Sequence, residues 1–365
     1  MTDHRHYLPA LKGKAGEYSA LERLSPGDKP QLTPIIEVPP IEWRYADELG
    51  VPTGPRTTID EHVCEVPENI RKSWGTQLPV FVDLLHVEDC GRLEEGAHPL
   101  AYVFDQGRKL GLQAIPVTGI GRSNEYQNAV IDAAQRDRRG VCIRVDRERC
   151  GFPTSLAADL QGLVMTLNVR RDEVDLILDL ATISPAEVGE LQTIASSVIS
   201  DLPYVSDWRT IAVAATAMPN SVTRDMETLS IKRIDRAERT LWGALANESA
   251  LPRIPNFSDY GVTDPDYFDL DPREVSFVGK IRYTAEDIWV IVKGSKLENA
   301  GDQFHKLAQM LREQPEFRSR DFSWGDESIA KCAAMEIGPG NQTTWVAFTT
   351  NHHLRFVMDQ LANGP

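Results

Sequence analysis

Recurring apolar runs, each followed by a segment that reads as a helix, constrain this chain more than any other feature. Eight such runs lie between residues 7 and 261: YLPALKG, LTPIIEVPP, LPVFVDLLHV, LQAIPVTGIG, GVCIRVDRE, EVDLILDLAT, RTIAVAATAM and PRIPNFSDYG. Several are nearly continuous in apolar residues instead of alternating, as expected of strands covered on both faces by helices in a parallel sheet. Helix signals sit between them. Ser184-Pro185-Ala186-Glu187 combines an N-cap serine, a proline at the first helical position and a capping-box glutamate. Ser123 precedes the helical run NEYQNAVIDAAQRDRR. The stretch TRDMETLSIKRIDRAERTLWGAL reads as one long amphipathic helix, with Met226, Leu229, Ile234, Ala237, Leu241 and Leu245 near helical spacing.

Eight strand–helix units of this length predict an α/β fold, a (β/α)8 TIM-like barrel over residues 1–262. The alternative is a doubly wound open parallel sheet, for which a Gly-rich dinucleotide fingerprint is missing. The second run ends at Glu37 before Pro39-Pro40, and WRYADELGVPTGPRTTID then reads as an excursion over one barrel end. From 263 to 365 the pattern changes to a mixed α/β C-terminal extension. VSFVGKIRYTAEDIWVIVKG predicts two strands around a turn, and KLENAGDQFHKLAQMLREQ a helix. No Gly/Ser-rich linker precedes this part, so it is expected to pack on the barrel and not to fold independently.

Charge and cysteine usage narrow the setting. A net charge of −15 with a pI near 5.0 repels phosphate backbones, so general nucleic-acid binding is not expected. Five cysteines, an odd number without a CxxC pair, indicate reduced thiols in a cytosolic compartment. No apolar run approaches the roughly 18 residues of a membrane span, and the N-terminus lacks a signal-peptide core. A cytoplasmic protein without a membrane partner is expected; homo-oligomerisation stays open.

In such a barrel the chemistry sits where the strands end. That rule selects Lys12 and Lys14, Glu37, Asp83 and His86, Thr118 and Arg122, Arg144 and Asp146, Asp179, and Ser258 with Asp259. Any one of them could instead cap a helix or close a structural ion pair. Asp83 and Asp179 are each followed by further apolar residues, so they should point into the mouth, with Lys12, Arg144 or Arg282 as partners. Glu37, Asp83 and Asp179 could also hold a divalent cation through oxygen, although spacing alone identifies no metal site. LKGKAGE lacks the P-loop pattern and Gly119-Ile120-Gly121 is a lone GxG. Gly13, Gly16 and the next helix N-terminus could still hold an anion beside Lys12 and Lys14.

LKGKAGEYSAL, LTPIIEVPP, VGKIRYT followed by Trp289, FSWGD, and GNQTTW with TTNHH together resemble the bacteriophage "beta protein" family, found in phages and bacteria. The resemblance spans residues 7 to about 361. The pattern residues it marks are Lys12, Lys14, Gly16, Glu17, Glu37, Arg282, Tyr283, Trp324, Asp326, Asn341, Thr344, Trp345, Asn351, His352 and His353. The family has no firmly established activity, and some relatives resemble components of phage-defence gene clusters. The resemblance implies that the extension returns over the barrel mouth and completes a site.

The combined expectation is an enzyme, a hydrolase of phosphoesters in the first instance, acting on a small anionic or phosphorylated ligand in phage–bacterium conflict. Lys12, Lys14, Arg144 and Arg282 would bind the anion. Glu37, Asp83 or Asp179 would serve as acid, base or metal ligand, and His352 or His353 as proton shuttle. Tyr283, Trp324, Asp326, Asn341 and Asn351 would line the ligand site, while Trp345, Val346 and Phe348 dock the extension. The alternatives are a non-catalytic sensor or protein-binding component of a defence or counter-defence system, its partner encoded in the same gene cluster, and a structural phage component.

Overall fold

The computed structural model describes residues 3–45, 52–267, 278–296 and 303–364. Eight parallel strands close into a barrel: β1 Leu8–Lys12, β2 Ile35–Glu37, β3 Pro79–Asp83, β4 Gln113–Thr118, β5 Val141–Asp146, β6 Val174–Thr182, β7 Thr210–Thr216 and β8 Asn256–Asp259. Each falls within one of the eight apolar runs. Closure comes from β1 pairing with β8, Leu8 opposite Ser258 and Pro9 opposite Asp259. The open-sheet alternative is thereby excluded.

Both faces of these strands are covered, which accounts for their continuous hydrophobicity. Leu11, Ile36, Val82, Ile143 and Leu178 face outward into the core shared with the surrounding helices. Ala10, Ile35, Phe81, Cys142 and Ile177 fill the lumen. Because side chains alternate with period two, the residues two places further on also point inward. Those residues are Lys12, Glu37, Asp83, Arg144 and Asp179. The fill of the lumen thus aims the polar layer above it.

The long helix expected across residues 223–245 is not formed. Ser230–Asp235 is instead a strand, paired antiparallel with Ile288–Lys296, and only Ala237–Ala246 is helical. Tertiary pairing overrides the helical spacing here, because the outer strand satisfies its backbone on the extension sheet. Arg236, fully buried between strand and helix, fixes the switch. It donates to Glu238 (3.0 Å), to Gln360 Oε1 (2.7 Å) and to the carbonyl of Ala285 (3.1 Å).

The extension sheet runs Ser230–Asp235, Ile288–Lys296, Val278–Thr284. One of its strands therefore comes from the connection between β7 and β8, so a cut at residue 262 does not separate the two sheets. Helices Gln303–Arg312, Trp324–Ala333 and Gln342–Asn363 pack on it, with Ile281, Tyr283, Leu307, Ile329, Trp345 and Phe348 in their shared core. The first residues of the helix expected after Lys296 lie outside the described residues. After β2, Trp43–Tyr45 and Pro52–Pro55 form a two-stranded ribbon. Among the described residues no helix is long and apolar enough to cross a membrane.

Candidate functional site

Lys12, Glu37 and Asp83 stand side by side at the C-terminal ends of β1, β2 and β3, Lys12 opposite Glu37 and Glu37 opposite Asp83. Across the mouth, Arg144 on β5 reaches into this row. Its guanidinium donates to Glu37 Oε1 at 2.6 Å, Asp83 Oδ2 at 3.2 Å, Asp179 Oδ2 at 2.8 Å and the Tyr260 hydroxyl at 2.7 Å. Tyr260, just after β8, donates in turn to Asp179 Oδ1. Arg122, after β4, adds a bond to Asp83 at 3.1 Å and one to Glu88 at 3.3 Å. Three carboxylates thus converge on one guanidinium.

Their protonation differs with surroundings. Burial pushes the Glu37 carboxyl up, and Arg144 only partly offsets it. Burial also acts on Asp83, but Arg122, Arg144 and the Leu85 N–H outweigh it and hold that carboxyl below its ordinary value. Glu17, buried on the helix after β1, is raised by burial to about 7 despite Lys12 and Lys14. The mouth therefore brings together carboxyls shifted in opposite directions, the separation that acid–base chemistry uses.

Cations gather on one side. The Lys12 ammonium donates to the Asp266 carbonyl at 2.6 Å and lies 4.3 Å from the Tyr267 ring centre, with Lys14 at 5.8 Å. Tyr267 leans over the cluster, its hydroxyl 3.4 Å from Glu37 Oε2 and its ring 4.4 Å from His86. From the extension, Lys280 and Arg282 occupy alternate positions of one strand, the face opposite Ile281 and Tyr283. Arg282 donates to the Val262 carbonyl at 2.9 Å, and its buried Nε has no partner. Burial beside Arg282 lowers the Lys280 ammonium to about 8. Buried Asp264, with one unpartnered oxygen, lies within electrostatic reach of Lys12, Lys280 and Arg282.

The residues present do not fit a metal ion in this cluster, because Arg144 occupies the position between Glu37, Asp83 and Asp179 that a divalent cation would take. Among the described residues no group of three or more His, Cys, Asp or Glu side chains is arranged to hold one.

Several expected site residues lie elsewhere. The last helix begins at Gln342, so His352 and His353 sit in its middle, both completely buried. Neighbours on a helix point about 100° apart, and here they serve different partners. His353 faces Asp259 Oδ2 (2.9 Å), the Tyr7 hydroxyl (3.1 Å) and Thr284 Oγ1 (2.7 Å), and stacks on Trp289. His352 faces Asp326 Oδ2 (2.8 Å) and the Thr284 carbonyl (2.9 Å), stacked on Tyr283. Neither touches Glu37 or Asp83, so the expected shuttle role has no geometric support. Tyr283 donates to Asp326 at 2.7 Å. Asn351 bridges the Gly325 N–H and the Ala20 carbonyl, both at 3.0 Å. Asn341 is the exposed N-cap of the last helix, accepting from the Thr344 N–H. These extension residues join elements; they do not roof the mouth.

The strand-end rule selects none of Glu17, Tyr260, Tyr267 and Lys280, and only Glu17 is marked by the family pattern, without a role. Tyr260 directly follows the last barrel strand, and Lys280 shares strand period with Arg282. Those signals could have found two of them.

Two open cavities lined by described residues lie away from this cluster. One of about 440 Å³ opens at the opposite barrel end, beside His6, Phe81 and Arg209, and one of about 430 Å³ lies between barrel and extension.

The sequence model of the family described as Beta protein matches residues 7–359. "Protein beta" of Enterobacteria phage P4 is 24% identical over 366 residues, covering 95% of this chain and 91% of the relative. Among solved structures, a triosephosphate isomerase from Bartonella henselae is similar at 11% identity and a TM-score of 0.37, over 70% of this chain and 92% of that one. The carboxyl transferase domain of Rhizobium etli pyruvate carboxylase is similar at 12% identity and a TM-score of 0.27, over 59% and 40%. At these scores the structural likenesses decide nothing about chemistry.

Proposed function

The chain belongs to the beta protein family, and from that premise we propose that its barrel mouth is the active site of an enzyme that hydrolyses a small phosphorylated ligand. The observation that carries this reading is the convergence of Glu37, Asp83 and Asp179 on Arg144, beside an acid raised to about 7 and a set of half-buried cations. Lys12, Lys280 and Arg282 bind the phosphoryl oxygens, with Lys14 at the edge. Asp179, the most exposed of the three carboxylates, takes a proton from water as its oxygen attacks phosphorus. The ester P–O bond breaks, and Glu37 or Glu17 delivers a proton to the departing alkoxide. Arg144 holds the carboxylates in place. The relative in phage P4 supports a role in phage–bacterium conflict.

A second reading is favoured by one observation. Arg144 neutralises the carboxylates and Tyr260 and Tyr267 cover them, an arrangement suited to a sensor that binds without turnover.

The test is alcohol release from p-nitrophenyl phosphate and bis(p-nitrophenyl) phosphate by the full chain. Turnover that Glu37→Gln lowers by about 10²-fold or more supports the enzyme reading. Turnover of both esters no higher than that of the variant sinks it. A phage plaque assay with Glu37→Gln then separates a sensor from a scaffold.

A further inference from the structure

Barrel and extension meet along a cleft of about 430 Å³ that shares no residue with the mouth cluster. Three arginines line it: Arg23 from the barrel's first helix–loop junction, Arg320 from the segment before Trp324–Ala333, and Arg355 from the last helix. They differ from the arginines of the mouth in how loosely they are paired. Arg355 comes no closer than 3.6 Å to Asp28 and 4.0 Å to Asp359, and Arg320 is 4.0 Å from Glu336. Arg23 has no carboxylate within 4.0 Å among the described residues; it lies 5.6 Å over the Trp324 ring. Arg355 similarly lies 5.5 Å over Phe322. A guanidinium over a ring keeps its in-plane N–H donors free for an anion. On a chain of net charge −15, three loosely paired arginines around one cleft offset the three acids that share its lining.

The other lining groups narrow the ligand. Trp324 and Phe322 are half-buried; Arg23 lies over the first ring, and Arg318 and Arg355 lie over the second, so a ligand ring packs beside these arginines. Asp28, Asp321 and Glu327 also line the cleft. Asp28 already accepts from Ser25 and Glu327 pairs with Lys331, so Asp321 is the acceptor most free for a ligand. Acids among the arginines disfavour a bare polyanion and select a molecule that carries N–H or O–H donors as well as negative charge. A flat ring, hydroxyls and one phosphate meet all three demands. The volume is within the range of about 300–1,000 Å³ usual for small-molecule sites. Trp324, marked by the family pattern and absent from the mouth, acquires a role here.

We propose that this seam cleft binds a nucleoside monophosphate, its phosphate on Arg23, Arg320 and Arg355 and its base against Trp324 or Phe322. The test is titration calorimetry of the full chain with AMP, GMP, CMP and UMP, with the matching nucleoside and inorganic phosphate as comparators. At least one nucleotide binds saturably, its nucleoside and phosphate each about tenfold or more weaker, and added salt weakens binding. Arg23→Gln and Arg355→Gln each weaken it about tenfold. Arg320→Gln, at a half-exposed position, gives the same direction should either of those variants prove unstable in thermal unfolding. Absence of saturable binding by all four nucleotides overturns the proposal. So does a nucleoside or phosphate that binds as tightly as the nucleotide, or an affinity unchanged in the folded arginine variants.

Discussion

The Nε2 atom of His353 lies 2.9 Å from Oδ2 of Asp259, tying the middle of the last helix to the end of the last barrel strand. Tyr7, next to β1, donates to the other oxygen of the same carboxylate. Asp259 thus joins the place where the barrel closes to the element that covers it. Burial acts against its charge, yet His353, Tyr7 and the Gly261 N–H hold its carboxyl below the ordinary value. His353→Ala leaves a buried carboxylate without its partner and should cost about 3–5 kcal/mol in urea unfolding. Because the folded value lies below the unfolded one, this stabilisation is present near neutrality and is lost as pH falls below about 4. Native and variant curves should therefore converge in acid. Curves separated by a constant amount at every pH would contradict the pairing.

His352 and Asp326 make the equivalent joint within the extension. The Thr284 carbonyl can only accept, so His352 Nε2 donates to it, and Nδ1 faces the Asp326 carboxylate at 2.8 Å. Asp326→Asn and His352→Leu should each destabilise by about 3–5 kcal/mol, and the double variant by clearly less than their sum. Additive losses in chemical denaturation would show the two side chains to be independent.

Two glycines permit the last helix to dock. A Cβ added at Gly325 would come within 2.1 Å of the Phe348 carbonyl oxygen, and one at Gly16 within 2.8 Å of Val346 Cγ1. The first obstacle is backbone at 2.1 Å; the second is a side-chain methyl at 2.8 Å, with the Thr343 carbonyl oxygen and Val346 Cβ less close at 3.0 Å. Gly325→Ala should cost about 3 kcal/mol or more, and Gly16→Ala about 1–2 kcal/mol, measured as loss of unfolding free energy. The reverse order would refute this packing.

Glu17 gives a pH signature of opposite sign to Asp259. Its folded value of about 7 lies above the ordinary 4.5, so the neutral form is the comfortable one. Stability is full below about pH 4.5 and declines as pH rises toward 7, by about 3 kcal/mol in all. Glu17→Gln should match the native protein at pH 4 and exceed it at pH 8. Equal stability of the two at pH 8 would show that Glu17 ionises freely.

The five thiols are all unpaired, with Cys64 and Cys90 exposed and Cys142, Cys150 and Cys332 buried. Ellman's reagent should label two rapidly in the native protein and all five after unfolding in guanidinium. A count below five in the unfolded chain would reveal a disulfide.

How much of this was legible beforehand depends on the range of the forces involved. Apolar runs covered on both faces report burial directly, so all eight barrel strands and the position of the polar rim could be read from local pattern. Period two along each strand carried Glu37, Asp83, Arg144 and Asp179 to the mouth. Ser230–Asp235 carries helical spacing locally, while its strand partner, Ile288–Lys296, lies more than fifty residues away, beyond the reach of local pattern. The partners of His352 and His353 are hidden for a related reason: residue type signals chemistry, while Asp326, Asp259 and Thr284 come from other segments. The sequence by itself determined the barrel and which residues ring its end. Only the tertiary structure decided which charges cancel. A carboxylate at a strand end becomes a joint or a reactive group according to the cation brought beside it, and that cation arrives through packing between distant elements.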